Sequence, residues 1–395
     1  MDTAVMELCE HVPKKIPRDS LTTEKGLDIF RRYHDYINVD FPSPRTTDQW
    51  VLTPGGWAGF LPLDNYLLRL QTKVPISNLF GMLEVAYNLK FRQPEGLVAL
   101  DSMEEMFERI ASILARMVLQ RSRKGLYRTY CRESSELHYV RGRIDTTRAC
   151  RRPWDPSLLC HYEDHTTDVS ENRLILWTLM TIIRSGICTG RTLPEVRQAY
   201  RILRRFADHQ RYTASDCVGR VYNRLNEDYK PMHGLCRFFL DGMGPTRQLG
   251  ENRSIPFVIN MPSLFEEFVA RWLQRELRHS PEHDLLIQES RYVEGETVLN
   301  YKMDLVFRDR DTGKPVLVAD TKYKVPKRSG HSDINQMVAY AQVLGCSEAV
   351  LIYPRALDER IDSYIGDVHV RSVEFDVQGS DLDSAGGAFL ERLLS

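Results

Sequence analysis

The sequence holds eight cysteines, and no two of them form a C-x-x-C pair. Scattered from Cys9 to Cys346, they support neither a zinc ribbon nor a disulfide framework, so reduced thiols in a cytoplasmic protein are expected. No apolar run reaches the ~18 residues that a membrane span needs, and the opening "MDTAVMELCEHVPKK" lacks the apolar core of a signal peptide. No membrane association is expected. A G-x-x-x-x-G-K-[ST] phosphate loop is also missing, which excludes nucleotide hydrolysis by P-loop chemistry within this chain. Net charge is scarce too: 53 basic residues against 54 acidic ones give −1, so the chain as a whole lacks the electrostatic footprint of a nucleic-acid binder.

What is present is enough chain for more than one core. At 395 residues, two or three domains are the default, and 42% hydrophobic with 27% charged residues is a globular composition rather than a disordered one. Charge is uneven along the chain. Between Arg116 and Arg152 there are eleven basic residues and three acidic ones, an excess of eight. A phosphate-contacting surface and a solvated helix face with its loop both fit that block.

The pattern reads as an α+β multidomain protein. Residues 1–73 look like a small β-rich domain with one helical patch at "LDIFRRYHDYI" and strands at "WAGFLPL" and "NYLLRLQTK". Residues 74–250 look like a helical middle domain, since "ISNLFGMLEVAYNL", "SMEEMFERIASILARMVLQRSRKG", "ENRLILWTLMTIIRSGI" and "LPEVRQAYRILRRFADH" carry apolar residues at three- and four-residue spacing. The Gly-, Pro- and polar-rich stretch 241–254 is the expected boundary. Residues 251–395 then form an α/β domain in the order α-β-β-β-α-β. It opens on "MPSLFEEFVARWLQRELRH", with Ser263 as expected N-cap and Glu266 at the capping-box position. Asp311, Thr312 and Gly313 turn two of its strands as a hairpin, and Gly345 stops its second helix.

Chemistry concentrates at "LVADTKYKVP", residues 317–326. Side chains alternate along a strand, so Asp320 and Lys322 share a face, and Asp304 lies on the strand before the turn. Two carboxylates and a lysine at a strand end suit a Mg2+-dependent attack on a phosphodiester, because carboxylate oxygens are hard ligands and a lysine can orient water and offset charge on phosphorus. A lone D-x-K is common by chance, and an exposed Asp–Lys pair usually does nothing chemical. The wider constellation adds weight: Glu266 stands on the preceding helix, and Gln336 and Tyr340 lie at i, i+4 on the following one. Lys324, Lys327 and Arg328 in the next loop are candidates to hold a DNA backbone, with solvated loop charge as the plain alternative. "CHYEDH", residues 160–165, fits no zinc spacing, and "SENRLILWTLM" reads as core packing before docking surface.

Asp304, "VADTK" at 318–322 and "QMVAY" at 336–340 resemble the PD-(D/E)xK nuclease superfamily in its Q-x-x-x-Y variant. With "SLFEEFV", "ENRLILWTL", "RGRIDTTR" and "VPISNLFGMLEVAY", the chain is similar over about residues 50–355 to the McrC family, nuclease subunits of modification-dependent restriction systems. That resemblance implies Asp304 and Asp320 as Mg2+ ligands, Lys322 as the water-orienting lysine, Glu266 as the first-helix acid, and Gln336 and Tyr340 as support. Met303 stands where the superfamily's proline would be. It further implies a separate McrB-like AAA+ GTPase ring as partner, contacted through residues 1–73 and stimulated by the N-terminal and middle parts of this chain, modified double-stranded DNA of the 5-methylcytosine type as substrate, and a dimer within the complex if each site cuts one strand. A non-cleaving adaptor that activates the ring, or a nuclease of another defence or repair complex, is the competing reading.

Overall fold

The computed structural model describes residues 4–63, 66–89, 102–243, 256–293, 299–324, 330–379 and 381–395. The chain is a mixed α+β protein whose contacts divide into two units, one made of Met1–Met106 with Gly242–Ser395 and the other of Phe107–Asp241. The expected parts 1–73 and 251–395 therefore share one unit. The expected boundary at 241–254 falls almost wholly outside the described residues.

In the discontinuous unit, a four-stranded sheet runs in the order Ala4–Cys9, Tyr66–Gln71, Trp57–Leu63 and Phe257–Asn260. The last of these strands comes from the far end of the chain and pairs antiparallel with Trp57–Leu63. A three-stranded sheet of Lys14–Pro17, Gln49–Pro54 and Ile37–Asp40 lies in the same N-terminal region. Its core gathers Trp50, Leu52, Ile29, Leu61 and Leu68. The helix Thr23–Tyr33 comes so close that a Cβ on Gly26 would meet the Trp50 ring at 2.3 Å. Only glycine fits there. Helix Ile76–Ala86 packs on helix Met261–Glu276, and Asn78 donates to Val377 O at 3.0 Å, tying the N-terminal part to the C-terminal one by a buried bond.

The second sheet of this unit has six strands, ordered His283–Val293, Leu299–Asp309, Pro315–Thr321, Glu348–Tyr353, Val368–Glu374 and Asp362–Ile365. The first three are antiparallel, and Pro315–Thr321, Glu348–Tyr353 and Val368–Glu374 run parallel. A parallel step needs a crossover, which helix His331–Leu344 supplies. The turn forms as the sequence leads one to expect: Asp309 Oδ1 accepts from the Thr312 N–H at 2.7 Å, and Gly313 takes φ +68°. Gly345 ends the crossover helix at φ +72°. Val306, Val318, Met337, Tyr340 and Ala341 meet in one buried cluster between this helix and the sheet.

The Phe107–Asp241 unit contains the expected helices Ser170–Ser185 and Leu193–Leu203 and most of Met103–Lys124, with Tyr229–Gly242 at its end, while the expected helix Ile76–Ala86 belongs to the discontinuous unit. Leu174, Ile175, Leu176, Leu179 and Ile182 are buried, so the "ENRLILWTL" segment is core. Asn172, fully buried, donates to Tyr127 O and Thr167 O and accepts from the Tyr229 hydroxyl. The unit is not all helical. Thr129–Leu137, Leu158–Thr166 and Arg143–Ile144 form a three-stranded sheet that an all-helical expectation for 74–250 omits. Thr129–Leu137 buries no residue, so it lacks the apolar alternation by which strands are read. "CHYEDH" lies on the strand Leu158–Thr166, where alternation sends neighbours to opposite faces, and Glu163 and Asp164 pair with Arg132 and Arg141.

Candidate active site

Two strands part at the site. Leu299–Asp309 and Pro315–Thr321 form an antiparallel ladder that ends at the pair Leu305 and Ala319, and the next position on each strand is Asp304 and Asp320. The ladder stops because a side chain replaces backbone: Asp304 Oδ2 accepts from the Thr321 N–H at 3.1 Å and from its hydroxyl at 3.2 Å. On the other side Lys322 stays in line with the parallel strand, its N–H donating to Ile352 O at 2.8 Å. Asp320 and Lys322 share a face as alternation requires, with Nζ 2.6 Å from Asp320 Oδ2.

The crossover helix completes the arrangement. Lys322 Nζ donates to Gln336 Oε1 at 3.2 Å, and Gln336 Nε2 donates to the Tyr340 hydroxyl oxygen at 2.6 Å. Carboxylate, ammonium, amide and phenol thus form one chain from strand to helix. The Tyr340 ring is in turn set edge-on to Tyr301, centroids 6.1 Å apart. A lysine on a flexible stem is held at two points, which removes most of its rotamer freedom before any substrate arrives.

Charge is out of balance here. Asp320 is 4% exposed, and burial followed by the Asp304 carboxylate pushes its pKa up to about 6, with Lys322 pulling the other way. Glu266 is raised above its ordinary value by burial and then by Asp304. Burial works against the Lys322 ammonium, but Asp320, Asp333 and Asp304 outweigh it and raise its pKa, so the side chain is charged at neutral pH. The carboxylates of Asp304, Asp320, Asp333 and Glu266 crowd together with the Lys322, Lys324 and Lys302 ammoniums nearby, and Asp320 and Glu266 are still raised, a condition that a bound divalent cation relieves. Among the described residues no group of three His, Cys, Asp or Glu side chains could hold a metal by itself. Asp304 and Asp320 fit Mg2+, which takes one or two carboxylates and completes its shell with water and substrate phosphate.

Glu266 arrives by a different route from the expected one. Helix Met261–Glu276 starts with Asn260 as N-cap, its Oδ1 accepting from the Ser263 N–H at 2.9 Å, and Pro262 sits in the first turn. Strand Phe257–Asn260 runs directly into this helix, so Ser263 is already helical and the capping box does not form. Glu266 instead accepts from Gln288 Nε2 at 3.1 Å. Lys324 pairs with Asp333 at 2.6 Å, and Lys327 and Arg328 lie outside the described residues. Glu289 is engaged by Arg291 and Arg308 at 2.7 Å each and stays out of the cluster.

Two residues at the site escape the sequence reading. Asp333, 7% exposed in the first turn of the crossover helix, acts electrostatically on both Asp320 and Lys322. Its spacing three residues before Gln336 is the signal that could have found it. Gln288 falls between the pairs Ile287–Leu305 and Glu289–Met303, hence opposite Asp304, and has φ +54°. A left-handed glutamine inside a strand costs backbone energy, and nothing in the residue type announces it.

Residues 52–354 match the family described as McrBC 5-methylcytosine restriction system component. Among solved structures, the chain is similar to one from Thermococcus gammatolerans, a refined half-complex of a tetradecameric assembly of McrB AAA+ hexamers with bound McrC. The TM-score is 0.56 at 17% identity, over 99% of this chain and 100% of that one. A cryo-EM structure of the Thermococcus gammatolerans McrBC complex gives a TM-score of 0.44 at 17% identity, over 69% of this chain and 88% of that one. No curated relative matches the sequence. The family match takes in more than three quarters of the 395 residues and spans the whole carboxylate–lysine–glutamine–tyrosine cluster, so the chain belongs to the McrBC 5-methylcytosine restriction system component family.

Proposed function

We propose that this chain is the Mg2+-dependent DNA endonuclease subunit of a modification-dependent restriction complex, with a PD-(D/E)xK site. The observation that carries the reading is the single network from Asp320 through Lys322 and Gln336 to Tyr340, with Asp304 beside it at the splayed strand end. Mg2+ held by Asp304 and Asp320 would polarise the scissile phosphoryl group and make a water nucleophilic near neutral pH. Lys322, charged and fixed, orients the attacking water and offsets the negative charge that grows on phosphorus. Gln336 and Tyr340 hold that ammonium in place. Glu266 extends the carboxylate face toward Asp304, and Lys324, Lys327 and Arg328 are placed in sequence to steady the DNA backbone.

A separate AAA+ GTPase is the proposed partner. Its support is the missing phosphate loop in this chain and the likeness to McrC bound to McrB AAA+ hexamers. Residues 1–73 are the expected contact region, and the Phe107–Asp241 unit adds exposed aromatic side chains, Tyr130, Tyr139 and Trp154, at 67%, 61% and 79%. A dimer within the complex would let two sites cut both strands. Sizing of the active complex tests this, and a strictly single copy removes it.

The central test compares cleavage of methylated and unmethylated plasmid with Mg2+, by the chain alone and with its AAA+ partner plus GTP, alongside Lys322→Ala. Cleavage is expected only with partner, GTP and methylation. The variant should lose it at least 100-fold while still stimulating GTP hydrolysis. Stimulation without any cutting by the natural chain, on any modified DNA, would establish the adaptor reading instead.

A further inference from the structure

The residue after Lys322 has no part in the network just described, yet it reaches across the unit to a buried acid. Tyr323 donates its hydroxyl to Glu10 Oε2 at 3.2 Å. Its ring packs on Phe265, centroids 5.9 Å apart, which immediately precedes Glu266. Glu10 is 1% exposed at the turn that ends strand Ala4–Cys9. That turn is itself locked, the Glu10 N–H donating to Gln71 O at 3.0 Å and the His11 N–H to Pro54 O at 3.1 Å. The groups facing the Glu10 carboxyl are Tyr323, the Lys73 backbone and ammonium, and His11, whose Nε2 lies 3.6 Å from Oε1. Oε1 has no hydrogen-bond partner among the described residues, and burial pushes the acid up to about 7. A buried acid half-satisfied in this way is a poor packing element, costing more than an apolar residue of the same shape.

We infer that Tyr323 is a positioning residue, through which Glu10 on the N-terminal turn sets where the Lys322 ammonium sits against Asp320 and Gln336. Lys322 is then fixed from both sides: its N–H is pinned to Ile352 O, and its C-terminal neighbour is anchored 313 residues away in sequence at Glu10. The role of Lys322 rests on the nuclease reading; its placement does not.

The test uses the full chain and three variants, Tyr323→Phe, Glu10→Ala and Glu10→Gln. Amine labelling followed by mass spectrometry reads the accessibility of the Lys322 ammonium directly, with the other lysines as internal controls. Lys322 should label several-fold faster in Tyr323→Phe and Glu10→Ala. Glu10→Gln should restore slow labelling, because its amide oxygen still accepts from the phenol. With the AAA+ partner, GTP and methylated DNA, the first two variants should lose about tenfold in kcat, with KM nearly unchanged. Wild-type labelling at Lys322 in a folded Tyr323→Phe or Glu10→Ala overturns the inference, whatever cleavage shows. Altered labelling in a protein that never cuts DNA upholds the positioning and sinks the nuclease reading.

Discussion

Single side chains decide the chemistry here, and their environments make it testable. The crowding of Asp304, Asp320 and Glu266 means that Mg2+ should stabilise the chain in the absence of DNA: at 100 times the dissociation constant, linkage gives about 2.7 kcal/mol. A thermal melt with and without Mg2+ checks this, and the Asp304→Asn, Asp320→Asn double variant should show no shift. An equal shift in that variant would place the ion elsewhere. A second residue sets acid stability in the other unit. His233, 1% exposed, accepts from the Tyr222 hydroxyl at Nδ1 and donates from Nε2 to Glu171 O. Burial drives its pKa down to about 4 from an ordinary 6.5, so it is neutral in the fold and the unfolded chain binds the extra proton between those values. Its contribution is full above pH 6.5 and is lost as pH falls toward 4, by at most about 3 kcal/mol. Denaturant titrations across pH 4–7 should therefore be flatter in His233→Gln.

At the scale of elements, the hairpin strands carry the site because they are not ideal. Asp304 breaks the ladder with Thr321 on one side, and left-handed Gln288 breaks it on the other. Gln288→Gly should relieve the strained backbone and raise stability by about 1 kcal/mol, while freeing Glu266 and slowing cleavage. A variant that is both less stable and fully active would show that the strain has no such role. The hairpin itself and the crossover helix could be read from the sequence because each has local signals: Asp-Thr-Gly for the turn, Gly345 for the stop, alternating apolar residues for the strands. The start of helix Met261–Glu276 could not: Ser263 is the expected cap, and strand Phe257–Asn260, paired with Trp57–Leu63, brings Asn260 to the cap position three residues earlier. Nor could the sheet of the Phe107–Asp241 unit, whose polar strands carry no apolar rhythm.

On the scale of the whole molecule, the N-terminal region is part of the body that holds the site. A sequence-based division leads one to expect that 251–395 stays folded when 1–73 is removed. The shared four-stranded sheet and the Glu10–Tyr323 bond give the opposite expectation. Deleting 1–73 strips three of the four strands from around Phe257–Asn260 and exposes Val258, so the remainder should lose its cooperative melt. A fragment of residues 102–243, with its own buried core, should keep one. Circular dichroism melts of both fragments settle the matter, and a cooperative 251–395 fragment would overturn it.

By itself the sequence determined the chemistry: which residue types stand two, four and sixteen positions apart, and hence that two carboxylates, a lysine, a glutamine and a tyrosine could meet on one face. These are local facts, governed by the two-residue repeat of strands and the near-four-residue repeat of helices. Only the tertiary structure decided what surrounds them: that Glu266 faces Gln288 rather than a helix cap, that Asp333 joins the charge cluster, and that Glu10 and Tyr323 meet. Those outcomes depend on contacts between residues far apart in the chain, which burial and strand pairing select together and no local pattern encodes.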